Sequence, residues 1–185
     1  MSDTFTSGLL LLVRPRFKEL DADLFVFRSA NDISQGLALM TLKVLIVEDE
    51  PIVAQDLKDI AEISGHEVIG CAARASDVRS LASLKPELAL VDINLKDGAT
   101  GPHLSATLAR DDVTVVLVTA NLQQIPLDFC GAIGAVTKPF TSRSIKEVIA
   151  YVNDLRGARD DLNMPRSLIA ANSGPIWRHP SCGFG

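Results

Sequence analysis

Six polar side chains follow closely on short apolar runs, and their types make a chemically coherent set. Glu48, Asp49 and Glu50 come after the run 44–47, Asp92 after 88–91, and Thr119 after 113–118. Lys138, with Pro139 behind it, comes just after 132–136. Carboxylates brought close together repel one another and hold a hard divalent cation. Mg²⁺ suits one or two carboxylates completed by waters and phosphate oxygens. A carboxylate can also form an aspartyl-phosphate, and Asp92, on the central run, is the best-placed nucleophile. A phosphoryl group moving to Asp92 carries negative charge on its equatorial oxygens. Mg²⁺ on one side and the Lys138 ammonium on the other would stabilise that charge, while Thr119 donates a hydrogen bond. Glu50 stands apart, because it precedes Pro51 and a helical pattern, where an acidic side chain favours the helix dipole. Thr119, taken alone, also fits a capping role for the segment after it.

The elements that must position these groups are legible in the hydropathy pattern. The runs 44–47, 88–91 and 113–118 are apolar on both strand faces, with 68–71 and 132–136 as weaker versions. Strands of that kind are covered on both sides, the mark of a parallel sheet between helix layers. Between them lie helical periods. Ile52, Val53, Leu57, Ile60 and Ile63 form one, closed by Gly65. A second is expected around 76–84, capped by Ser76 and ending before Pro86. Leu104 and Leu108 mark a third; Ile145, Val148, Ile149 and Val152 mark the fifth, with Thr141 or Ser142 as cap. The fourth, 121–130, is short and contains Pro126, so it should be irregular or displaced. Alternating strands and helices wind with right-handed crossovers into an open sheet, whose ligand site lies beyond the carboxyl ends of the strands. The chemically suggestive residues sit at those ends.

Composition narrows the function classes. The chain has 185 residues, 47% hydrophobic and 22% charged, with 18 basic against 23 acidic side chains. A net charge of −5 argues against nucleic-acid binding through phosphate neutralisation. Cys71, Cys130 and Cys182 have no zinc or redox spacing and suit a reducing cytoplasm, Cys71 and Cys130 as small core residues. The apolar run 9–13 is far too short for a membrane span. Residues 1–41 and 157–185 lack a sustained period and are expected to be a poorly ordered extension and a loose tail, apart from a strand-like stretch at 24–27.

Four motifs in order, KVLIVEDE at 43–50, LALVDINLKDG at 88–98, VVLVTA at 115–120 and AVTKPF at 135–140, resemble a response-regulator receiver domain over residues 42–156. The resemblance implies a flavodoxin-like (βα)5 fold, a doubly wound five-stranded parallel sheet of strand order 2-1-3-4-5. It implies Asp92 as phosphoacceptor, and Glu48 and Asp49 as the acidic pair for Mg²⁺. The backbone carbonyl of Asn94 would be a further ligand, Thr119 the switch hydroxyl and Lys138 the phosphate-sensing lysine. The Lys138–Pro139 bond is expected to be cis. Two departures are visible. Ala135 stands where receivers usually carry an aromatic, and the stretch from Thr119 to Lys138 is short. The shortening resembles the FAT GUY subgroup of receivers, although 117–121 lacks its Phe and Gly.

These features imply a stand-alone regulator rather than a conventional enzyme. It would take a phosphoryl group from a sensor histidine kinase or phosphotransfer protein and pass its signal to a downstream protein. A homodimer through the fourth helix, fifth strand and fifth helix is a further expectation; nucleic acid and membrane are not expected partners. Two alternatives compete. An Mg²⁺-dependent phosphatase of the haloacid-dehalogenase kind also uses an Asp nucleophile, but wants an acid two residues later, where this chain has Asn94. A pseudo-receiver that only binds proteins would have no need of the full charged set.

Overall fold

The computed structural model describes residues 41–157 and 162–171. The expectations for residues 1–40, including the strand-like stretch at 24–27, and for 172–185 lie outside them. The elements are β1 (Lys43–Val47), α1 (Pro51–Ile63), β2 (Glu67–Ala72), α2 (Val78–Ala82), β3 (Leu88–Asp92), α3 (Gly101–Arg110), β4 (Thr114–Thr119), β5 (Gly134–Thr137), α4 (Ser142–Arg156) and β6 (Ile169–Ala170). The sheet order is β2-β1-β3-β4-β5-β6. The first five strands are parallel in the expected 2-1-3-4-5 arrangement, and β6 joins antiparallel to β5.

Alternation along each strand builds two cores. Val44, Ile46, Leu88 and Leu90 pack with Leu57 and Ile60 of α1 and with Ile145 and Val152 of α4. Leu45, Val47, Ala89 and Val91 pack on the other face with Val78 of α2 and with Leu104 and Leu108 of α3. Burial on both faces is what the unbroken apolar runs required. Pro51 opens α1, and Gly65 (φ 85°) turns the chain out of it. Thr141 and Ser144 form a reciprocal capping box at the start of α4.

Four expectations need correction. The sheet has six strands rather than five. Residues 167–171 are not loose: Leu168 is buried in the first core, and Ile169 and Ala170 pair with Ala135 and Gly134. Ser76 does not cap the second helix; a 3-10 turn at Ala75–Asp77 precedes it, and the Ser76 amide donates to Asp97 instead. Cys71 is exposed, because β2 is an edge strand whose outer positions are only thinly covered, whereas Cys130 is buried.

The segment between β4 and β5 contains no α-helix, only two 3-10 turns, Leu122–Gln124 and Phe129–Gly131. Pro126 lacks the amide a helix would need there. Local side chains take over instead: the Asn121 carboxamide oxygen accepts from the Gln123 amide at 3.0 Å, and the Asp128 carboxylate accepts from the Cys130 amide at 3.2 Å. Phe129, Cys130 and Gly131 are all left-handed, with φ of 52°, 46° and 79°. Such backbone costs a non-glycine residue about 1–2 kcal/mol. It is held against α3, where the buried Ser105 hydroxyl donates to the Cys130 carbonyl at 3.0 Å. Gly131 has to be glycine for a second reason: a Cβ there would lie 2.8 Å from that of Ala109.

Candidate functional site

The site forms where the chain leaves β1 for β2 on one side and returns through β3 on the other, the switch point of a doubly wound sheet. The Glu48 amide donates to the Ala72 carbonyl at 2.8 Å, which extends the β1 pairing by one residue. Glu48 is thereby carried into the interior with its side chain fully buried, while Asp49 is half-buried and Glu50 exposed. Asp92 is the last residue of β3 and is buried. On β5 the same device recurs, with the Lys138 amide donating to the Thr119 carbonyl at 2.8 Å. The Lys138–Pro139 bond is cis.

The Lys138 ammonium bridges the carboxylates. Its Nζ lies 2.7 Å from Glu48 Oε2, 2.8 Å from Asp92 Oδ2 and 3.7 Å from Glu50 Oε1. Burial alone would lower the Lys138 pKa, but the hydrogen bonds and charges of Asp92 and Glu48 outweigh it and hold the pKa above its ordinary value. Glu48 is pushed upward, first by burial and also by the Asp92 charge, with the Lys138 contact only partly opposing. One cation therefore sits among more negative charge than it can neutralise.

That surplus is suited to a second cation. Carboxylate oxygens of Glu48, Asp49 and Asp92 lie within 4.8 Å of one another. Glu48 Oε2 is buried and, beyond the ion pair with Lys138, has no hydrogen-bond partner. An all-oxygen, anionic donor set of this size fits a hard divalent ion.

Thr119 is fully buried at the end of β4, but its hydroxyl is engaged locally. It accepts from the Asn121 amide at 3.1 Å and reaches the Asn121 carbonyl at 3.4 Å, the capping role that competed with the switch role in the sequence. Asn94 approaches Asp92 through its backbone, its amide donating to Asp92 Oδ1 at 3.3 Å. Its side-chain amide donates to Gln124 Oε1 at 2.9 Å, tying the β3 loop to the first turn after β4. Gln124 was not foreseen: it lies in a segment with no hydropathy period, and only its distance from Thr119 could have signalled it. Glu50, read as a dipole-favouring residue, makes no side-chain cap to α1 and faces Lys138 instead.

A parallel sheet with buried carboxylates and a lysine at its carboxyl rim defines a class of signalling domain. Residues 44–150, more than half of the chain, match the family described as the response regulator receiver domain, and the protein belongs to that family. It is 37% identical over 106 residues to the phyllosphere-induced regulator PhyR of Methylorubrum extorquens, a match that covers 55% of this chain and 40% of that protein. The transcriptional regulatory protein PdtaR of Mycobacterium tuberculosis is 29% identical over 121 residues, covering 62% of this chain and 57% of the relative. Among solved structures, the PhyR receiver domain of Erythrobacter litoralis superposes with a TM-score of 0.58 at 27% identity, covering 68% of this chain and 99% of that one. A mutant of the anti-anti-sigma factor PhyR from Bartonella quintana gives a TM-score of 0.58 at 28% identity, covering 70% of this chain and 56% of that one. The chain thus spans about half the length of the curated relatives it matches. Among the described residues, no helix is long and apolar enough to cross a membrane.

Proposed function

We propose that the protein accepts a phosphoryl group on Asp92 from the phosphohistidine of a sensor kinase or phosphotransfer protein, and signals to a downstream protein in the cytoplasm. The observation that carries this reading is the Lys138 ammonium held 2.8 Å from Asp92 Oδ2, beside three carboxylates whose oxygens lie within 4.8 Å of one another. A carboxylate oxygen of Asp92 attacks phosphorus, the P–N bond to the donor imidazole breaks, and its electron pair stays on that nitrogen, which takes up a proton. Glu48, Asp49, Asp92 and the backbone carbonyl of Asn94 would hold Mg²⁺, which supplies charge neutralisation for the transferring phosphoryl oxygens. Lys138 exchanges part of its contact with Asp92 for the new phosphoryl oxygens, and Thr119 turns its hydroxyl from Asn121 toward them. Hydrolysis later returns the free carboxylate, so the chemistry is self-catalysed group transfer and not turnover of a substrate.

The domain limits proposed are residues 42–156 for the receiver, with 1–41 as an extension and 157–185 as a tail whose residues 167–171 return to the edge of its sheet. The phosphatase alternative loses ground because the residue two past Asp92 is an amide occupied by Gln124. The pseudo-receiver alternative is disfavoured by the intact cluster of Glu48, Asp49, Asp92 and Lys138. A homodimer through 121–130, β5 and α4 would have to form over β6, which covers the β5 edge. Incubation with acetyl phosphate and Mg²⁺, followed by intact-mass measurement, tests the proposal. One phosphoryl group should be gained by the wild type and none by Asp92→Asn; equal uptake by the variant would overturn it.

A further inference from the structure

The segment that carries Lys138 is clamped at both ends by the same short stretch of chain. Upstream, β5 is four residues long and pairs with β4 on one side. On its other side Gly134 and Ala135 pair with Ala170 and Ile169, and the Ala171 amide donates to the Ile133 carbonyl at 3.1 Å. Downstream, the Ser167 hydroxyl donates to the Ser144 carbonyl in the first turn of α4 at 3.3 Å. Leu168, only 3% exposed, anchors the stretch in the core between these two attachments. Residues 167–171 therefore span the outside of a short path, β5 to the start of α4, with Lys138 in its middle.

Lys138 is the group whose partners must change when Asp92 is phosphorylated. Its ammonium now divides itself between Glu48 at 2.7 Å and Asp92 at 2.8 Å. A phosphoryl group on Asp92 places new anionic oxygens beyond the present carboxylate, and the ammonium must follow them. The lysine is joined to β5 directly, and its amide is fixed to Thr119 by the 2.8 Å bond. Any shift of that backbone works against a clamp attached on both sides of it.

We infer that residues 167–171 are a strap that holds the Lys138 segment in its unphosphorylated position, so that strap release and phosphoryl occupancy of Asp92 favour each other. The inference rests on the phosphoacceptor reading of Asp92 and names a regulation of that site. Linkage makes the coupling reciprocal: whatever factor the phosphoryl state contributes to strap opening, an open strap contributes to phosphoryl binding.

The structure supplies a selective way to lift the strap. A Cβ added to Gly134 would meet the Ile169 carbonyl oxygen at 2.5 Å, with Leu168 Cδ1 at 3.0 Å and Cγ at 3.1 Å. All three of these nearest atoms belong to the strap, and Gly134 lies in ordinary strand backbone, so Gly134→Ala presses first on the strap. Ala171→Pro acts from the strap side, removing the donor to Ile133 and setting a ring carbon against that carbonyl, with no change to the residues of β5. The test uses the full chain with Mg²⁺ and beryllofluoride as the phosphoryl mimic, read by amide exchange at Ala171 and by the mimic's half-saturation concentration. Saturating beryllofluoride should speed wild-type exchange at Ala171 about fivefold or more, in the range of ordinary site–site coupling. Gly134→Ala, read at Ala171, and Ala171→Pro, read at the Ile169 amide that faces Ala135, should release the strap and lower the half-saturation concentration by a similar factor. Saturated wild type with unchanged protection at Ala171 would overturn the inference. So would variants that have released the strap but bind the mimic as the wild type does, or a Gly134→Ala protein whose Ala171 stays protected. Wild type that shows no Asp92-dependent binding of beryllofluoride would instead sink the phosphoacceptor reading, and the strap coupling with it.

Discussion

Replacing Lys138 with methionine keeps most of its aliphatic volume and removes the charge that holds the site together. The magnitude follows from burial. Lys138 is 13% exposed at its side chain and Glu48 is fully buried. Unit charges about 4 Å apart attract by about 4 kcal/mol at an effective dielectric near 20, and Lys138 makes two such contacts at shorter range. Desolvation of the ammonium offsets much of that gain, and Glu50, at 67% exposure, adds little. What decides the cost is the pair of carboxylates left behind, because removing one partner of a buried ion pair typically destabilises by about 3–5 kcal/mol. Protonation limits the loss. Burial already raises the Glu48 pKa above its ordinary 4.5, and without Lys138 the opposing contribution disappears. The native state of the variant then binds more protons than its unfolded state above about pH 4.5, so its stability falls as pH rises through that window. We expect Lys138→Met to lose about 3 kcal/mol at pH 7 without Mg²⁺ and distinctly less near pH 5. With urea slopes of roughly 1–3 kcal/mol/M, that moves the midpoint by about 1–3 M. Mg²⁺ should recover part of the loss by standing in for the missing cation. A variant within 1 kcal/mol of wild type at pH 7, or one that weakens as pH falls toward 5, would refute the electrostatic account.

Mg²⁺ at about ten times its dissociation constant should stabilise the wild type by about 1.4 kcal/mol, a rise of about 3–6 °C in a thermal melt, and should have no such effect on an Asp49→Asn, Asp92→Asn double variant. Gln124→Ala removes an exposed hydrogen bond to Asn94 and should leave stability within about 0.5 kcal/mol. Because that bond ties the loop after β3 to the turn after β4, its loss should let water reach the variant's acyl phosphate more readily, speeding hydrolysis about threefold or more, measured as loss of label over time. His66 accepts from the Leu42 amide through Nδ1, and burial lowers its pKa from 6.5. Its neutral form contributes stability that is fully present above the ordinary 6.5 and is lost as pH falls through the depressed pKa, so His66→Gln should flatten the stability profile on the acid side of 6.5.

The parts of the molecule that were legible in the sequence are those set by periodic burial. Val44, Leu45, Ile46 and Val47 are all fully buried because two helix layers cover them, and an unbroken apolar run can mean little else in a strand of that length. Once the strands were placed, Asp92 and Lys138 had to meet at one rim, and their 2.8 Å contact follows from topology. Local chemistry was harder to read. Ser76 has the right type for a cap, but its amide is taken by Asp97, a residue twenty-one positions away. The turns between β4 and β5 depend on left-handed backbone at Phe129 and Cys130, residues whose side chains carry no signal for it. Strand β6 is two residues long, and the apolar run that contains it, 168–171, covers only four residues next to Pro165 and Asn172, too little for a pattern. Thr119 shows that position does not fix partner: it stands at the expected strand end, but its hydroxyl is engaged by Asn121.

Whether Asp92 is the residue that carries the phosphoryl group is read out by chemical mapping of the modified side chain. After phosphorylation by acetyl phosphate or a donor kinase, borohydride reduces an acyl phosphate to the corresponding alcohol, which marks the acceptor in a digested peptide. Homoserine is expected at position 92, dependent on Mg²⁺ and absent when Lys138→Met removes the neutralising charge. The mark at Asp49 or Glu48, or phosphate retained with no reducible carboxyl, would contradict it.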